Sequence, residues 1–167
     1  EVVALDMVSV PGGAAYSAIG DYDGFIHTDV DKPATQYVPN MGSTGAIAYC
    51  PQNPQVMVRI AENQNDIAPG FYSTDGGKTW TKMANTAGGK AAITQLDKDT
   101  YRIFLGKKDS GDLSYSDDWG QTWNACTGIG SAYGSKPTYT FVEPNDPSTV
   151  YAYATYYNSS WHYSKTE

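Results

Sequence analysis

YSTDGGKTW at residues 72–80 and YSDDWGQTW at residues 115–123 are two copies of one nine-residue phrase, begun 43 residues apart. Ser, Asp, Gly, Thr and Trp recur at fixed offsets, and the interval is that of a propeller blade of about 40–50 residues. Stepping back 46 residues from FYSTD at 71–75 reaches FIHTD at 25–29. Stepping forward 48 residues from Tyr115 reaches Tyr163-Ser164, close to the last residue, Glu167. A second signature keeps the same register, since the turn phrases PQNP at 51–54 and PNDP at 144–147 lie 93 residues apart, about two blades. Asp97-Lys98-Asp99 fills the slot between them and Pro11-Gly12-Gly13 the slot before. The reading is an all-β chain of propeller blades, each of four antiparallel strands, with three blades complete and a fourth partial.

The blades divide at 1–40, 41–86, 87–127 and 128–167. Strands named A to D in each blade fall at 2–10, 15–19, 24–28 and 36–38 in the first. They fall at 45–50, 56–61, 70–74 and 80–83 in the second, and at 91–96, 101–106, 113–116 and 123–126 in the third. The fourth offers 138–143, 150–155 and 161–164, and no outer strand. Propellers suppress exposed strand edges by closing radially. An arc that stops inside its fourth blade is therefore expected to be one piece of a larger assembly.

Composition agrees with a β-rich chain, with 17 Gly, 14 Tyr and 9 Pro and no sustained helical spacing of apolar residues. A net charge of -7 with only 11 Lys and Arg offers no basic stripe, which argues against a nucleic-acid partner. No run of 18 apolar residues exists to suggest a membrane span, and the opening residues read as a strand rather than an export signal. Cys50 and Cys126 are too few for a disulfide scaffold and read as free thiols.

Strand direction sorts the connections between two faces. The repeated phrases are C–D turns, where Ser and Asp can bond backbone amides, Gly supplies positive φ and Trp packs on the blade. Trp119 stands where the other copy has Gly76 and is expected as an exposed ring. The B–C and D–A loops lie on the opposite face and vary in length, as binding surfaces on repeat scaffolds do. Among them Gly20-Asp21-Tyr22-Asp23-Gly24 sets two carboxylates and a ring between glycines. Close carboxylates disfavour each other's ionisation, which suits a general acid, although a solvated acidic turn is the simpler account of the same residues.

Residues 4–32, ALDMVSVPGGAAYSAIGDYDGFIHTDVDK, resemble the start of the second propeller in glycoside hydrolase family 74, the xyloglucanases. The Ser-x-Asp-x-Gly-x-Thr-Trp phrase, the Asp-box, is shared with that family and also with sialidases and sortilin-like propellers. The resemblance implies a seven-bladed propeller and a secreted enzyme that cleaves a β-1,4-glucan backbone with inversion. It puts the general acid on Asp21, with the general base on the first propeller, outside these residues. Since inversion needs both carboxyls, about 6.5–9.5 Å apart, the chain alone is expected to be inactive. The implied partners are xyloglucan or a related β-glucan, the remaining blades and the first propeller; no cofactor or metal is implied. Where the family has glycine, this sequence has Asp23, a candidate to modulate Asp21 or to contact a sugar. Sugar faces favour flat rings, so Tyr22, Tyr133, Tyr156, Tyr157 and Trp161 are candidate binding residues, while His27 reads as structural. A glycan-binding module without catalysis, and a sortilin-like protein-interaction propeller, are the alternative readings.

Overall fold

A computed structural model describes residues 2–62, 68–108, 112–127, 138–142, 151–158 and 163–166. Within them the chain forms four antiparallel sheets, each strand pairing with its neighbours in sequence. The first holds β1 (Val3–Ser9), β2 (Ala15–Gly20), β3 (Asp23–His27) and β4 (Thr35–Gln36). The second holds β5 (Thr44–Cys50), β6 (Asn53–Ala61), β7 (Gly70–Ser73) and β8 (Thr81–Lys82). The third holds β9 (Gly89–Gln95), β10 (Tyr101–Lys107), β11 (Leu113–Ser116) and β12 (Asn124–Ala125). β13 (Thr138–Val142), β14 (Tyr151–Asn158) and β15 (Tyr163–Thr166) make a three-stranded fourth sheet among the described residues. The first strands pack in series, β1 on β5, β5 on β9 and β9 on β13, which is the inner side of a stack of propeller blades.

The middle sheet is covered on both faces, and its sequence shows it. Along β5, Ala46, Ala48 and Cys50 face the third sheet, while Ile47 faces the first. Such a strand reads as a nearly unbroken apolar run, TGAIAYC, instead of alternating with polar residues. Along β6, Val56, Val58 and Ile60 join the core shared with the third sheet, and Met57 joins the core shared with the first. Alternation then asks for an apolar residue at 59 on the side of the first sheet. Arg59 stands there, fully buried.

The two phrases fold identically. Ser73 Oγ accepts the Gly77 N–H at 2.9 Å and donates to Asp75 Oδ1 at 2.8 Å. Asp75 accepts the Thr79 N–H at 2.9 Å and the Thr79 hydroxyl at 2.6 Å. Ser116, Asp118, Gly120 and Thr122 repeat the set at 2.9, 2.8, 2.9 and 2.6 Å. The Thr79 bonds hold the Asp75 carboxyl at about 2, and the Thr122 bonds do the same for Asp118, at about 2.

Each turn also rests on the sheet before its own. Tyr16 of the first sheet donates its hydroxyl to Gly76 O at 2.7 Å, and Trp80 meets Tyr37 edge-on at 5.9 Å between centroids. One blade on, the Asn85 N–H bonds Gly120 O at 3.0 Å, and Trp123 Nε1 donates to Asn85 O at 2.7 Å. Trp119 corrects the sequence expectation. Its ring is half-buried, stacked on Tyr72 at 4.4 Å and tilted against Tyr101 at 5.3 Å. It takes φ 60°, where Gly76 takes 71° in the other copy. An inter-sheet contact thus offsets a backbone conformation that ordinarily favours glycine.

Two measurements follow from these turns. Because the folded Asp75 and Asp118 carboxyls lie near 2 against an ordinary 3.8, their contribution is present above pH 4 and lost as pH falls towards 2. Denaturant unfolding at stepped pH is expected to lose stability more steeply across that window in the native protein than in the Asp75→Asn, Asp118→Asn double variant; parallel curves would contradict this. Trp119→Ala loses both ring contacts yet keeps the left-handed backbone, for an expected loss of about 2–3 kcal/mol. Trp119→Gly relieves that backbone and is expected to lose about 1 kcal/mol less, reversing the usual order of the two residues.

Candidate functional site

The hairpin after β2 is tighter than the sequence suggested. β2 runs through Gly20 and β3 resumes at Asp23, so only Asp21 and Tyr22 connect them. Both aspartates have positive φ, 67° at Asp21 and 64° at Asp23, a conformation Asp tolerates better than most residues. Gly24 follows because there is no room for a side chain: a Cβ there would lie 2.0 Å from Ser17 O and 2.6 Å from the Tyr37 ring.

The hairpin sends its two carboxylates in opposite directions. Asp21 is exposed and lines a cleft with Met41, Gly42, Ser43 and Glu62. Its N–H donates to Ser43 Oγ at 2.7 Å. Tyr22 beside it is 53% exposed, and its carbonyl accepts Gln36 Nε2 at 2.9 Å. Asp23 has no exposed surface. Both its oxygens bond Arg59 Nη1, at 3.0 and 2.9 Å; Thr44 donates to Oδ1 and the Met41 N–H to Oδ2 at 3.2 Å. A carboxylate so enclosed offers no face to a sugar, and the guanidinium balances its charge. The expected contact of Asp23 with a sugar is corrected accordingly.

Arg59 is held as tightly as its partner. Its Cζ lies 4.9 Å from the Tyr37 ring, 4.7 Å from Phe71 and 4.9 Å from Trp80, and Nη2 donates to Pro39 O. Burial lowers its pKa from the ordinary value, and the Asp23 charge works against that shift. The same burial pushes the Tyr37 hydroxyl up.

Behind Asp21 the loop face carries further charge. Glu62 pairs with Lys108. Lys90 donates to Leu5 O at 2.8 Å and Gly45 O at 2.6 Å, tying the first strands of two sheets together. Burial lowers the Lys90 pKa, opposed by Asp6 and Glu62. A second hollow lies between Leu5, Gly45, Glu62, Gly89, Lys90 and Lys108. Among the described residues no group of three or more His, Cys, Asp or Glu side chains is placed to hold a metal ion.

The other site expectations divide. Tyr156 and Tyr157 lie within β14, paired with Lys165 and Ser164, and not in a loop as expected. Tyr133 and Trp161 fall outside the described residues. His27 Nε2 sits 2.9 Å from Ser17 Oγ, a contact inside the first sheet. Cys50 is buried, Cys126 half-buried, and neither is in a disulfide. Glu62 and Lys108 were not singled out from sequence, yet the blade interval contained them. Asp21, Glu62 and Lys108 each stand first after the second strand of successive sheets.

No protein-family model matches the chain. It is 35% identical over 140 residues to a xyloglucanase of a Paenibacillus species, across 77% of the chain and 13% of that protein. With a xyloglucanase of Acetivibrio thermocellus it shares 31% over 138 residues, across 78% of the chain and 16% of the relative. The chain therefore spans about a sixth or less of the length of these relatives. Among solved structures, a GH74 enzyme of Niastella koreensis superposes with a TM-score of 0.66 at 34% identity, over 83% of this chain and 19% of that one.

The ion pair yields its own expectation. Arg59→Met leaves the Asp23 charge buried and uncompensated, for an expected loss of about 3–5 kcal/mol in denaturant unfolding. Adding Asp23→Asn removes that charge, and the double variant is expected to regain most of the stability.

Proposed function

We propose that this chain, which by sequence and by fold is of the glycoside hydrolase family 74 xyloglucanase type, supplies Asp21 as the general acid of an inverting hydrolase acting on xyloglucan or a related β-glucan. The observation that carries the reading is the position of Asp21. It is exposed at the tip of a two-residue connection, on the variable face, in a cleft beside a second carboxylate, Glu62.

The chemistry asks for a proton donor at the glycosidic oxygen and a water on the opposite face of the sugar. Asp21 gives its proton to the departing oxygen as the bond from the anomeric carbon breaks. A water attacks that carbon and passes a proton to a base carboxylate, supplied in this reading by another part of the enzyme. Bond cleavage thus consumes one water and inverts the anomeric centre. Tyr22, exposed next to Asp21, offers a flat surface for a pyranose ring. A polymeric substrate too large to enter a cell fits a secreted enzyme, with the remaining blades and a first propeller completing the cleft.

In the native polypeptide containing this chain, Asp21→Asn is expected to lower kcat on xyloglucan by about 10²–10⁴-fold with the fold intact. The wild-type product is expected to appear first with the inverted anomeric configuration by proton NMR. Undiminished turnover in the variant would sink the assignment of Asp21. Xyloglucan binding with no hydrolysis by the native polypeptide would replace it with a binding module.

A further inference from the structure

We propose that Asp23 and Arg59 are positioning residues for Asp21, fixing the hairpin that carries it against the segment entering the second sheet. The inference rests on the reading of Asp21 as general acid. Asp21 is tied to that segment by its N–H bond to Ser43 Oγ, 2.7 Å. Ser43 in turn is held on both sides by Asp23. The Asp23 N–H donates to Gly42 O at 2.8 Å, and the Asp23 carboxylate accepts the Thr44 hydroxyl and the Met41 N–H. Arg59 closes the arrangement from β6, gripping the Asp23 carboxylate with Nη1 and Pro39 O, at the upstream end of the same segment, with Nη2. Three rings enclose the planar guanidinium and limit its movement.

Stability alone is a poor account of this construction. A buried ion pair recovers little beyond its own desolvation, and apolar replacements are often as stable. Here Arg59 Nε, Tyr37 Oη and Trp80 Nε1 are also buried with no hydrogen-bond partner among the described residues, which costs further. What the pair does provide is directional: it fixes two left-handed aspartates on either side of Tyr22, φ 67° and 64°, in a hairpin whose exposed member carries the chemistry. Displacing a reacting group by about 1 Å lowers a rate about 100-fold, so such a brace bears on turnover while leaving the substrate's binding surface in place.

The test uses the native polypeptide with Asp23→Asn and Arg59→Met together, so that neither charge is left buried alone. The expected result is a KM for xyloglucan unchanged within about twofold and a kcat lower by about 10–100-fold. On a dinitrophenyl β-glycoside of the same oligosaccharide, whose leaving group needs no proton, the loss is expected to be under about threefold. Ser43→Ala, which removes the acceptor of the Asp21 N–H without touching the buried pair, is expected to show the same selective loss to a smaller degree. Wild-type kcat in both variants, or equal losses on the two substrates, overturns the positioning role. Asp21→Asn measured alongside separates the failures, since full turnover in that variant overturns the general-acid reading itself.

Discussion

A turn with two left-handed residues in succession has to be held open, and among the described residues the Ser-Asp-Thr hydrogen-bond set does so twice. Gly76 and Gly77 at φ 71° and 74°, and Trp119 and Gly120 at 60° and 78°, share this backbone, which glycine adopts freely and only Trp119 adopts under strain. With Ser73 or Ser116 bonding the amide four residues on, and Asp75 or Asp118 bonding the threonine beyond, each turn becomes a rigid projection. That projection reaches the preceding sheet, to Tyr16 and Tyr37 in one case and to Asn85 and Tyr72 in the other. The faces between sheets can then be filled by small and branched side chains such as Ala46, Ala48, Val58 and Ile93, because spacing and orientation are already set at the rim.

On the opposite face the same inter-sheet boundary is sealed by charge. Asp23 and Arg59 occupy the junction of the first two sheets at a point where the strand pattern would put carbon against carbon. The contrast between Asp21 and Asp23, two residues apart in one hairpin, shows how local geometry divides chemically identical groups: one turned out into a cleft, one consumed by packing.

Much of the fold was legible because blades repeat and turns have composition. The phrase at 72–80, the interval of 43 residues and the Pro-Asn turns located the strands of three sheets to within two or three residues. Trp119 was misplaced since, in sequence, a large ring at a glycine position gives no hint of the Tyr72 ring a whole sheet away. Asp23 was misplaced for the corresponding reason. It follows the two-residue connection Asp21-Tyr22 and reads as part of it, while its partner Arg59 lies 36 residues on, in a strand whose period marks 59 as a core position. A charged residue at a core position is a signal that a counter-charge faces it, and that signal was present in the alternation of VMVRIA at 56–61. Glu62 and Lys108 were reachable by applying the blade interval to the residue after the second strand, a comparison the phrase itself makes possible.

That position after the second strand, filled by Asp21, Glu62 and Lys108 in turn, behaves as a socket on a common chassis. Strand pairing brings its backbone to the same place in each sheet, while the group it presents differs from one sheet to the next. Carboxylate, carboxylate and ammonium succeed one another there, the last two paired across sheets, so a propeller of this kind can vary its surface chemistry by substitution at one recurring position of a constant frame.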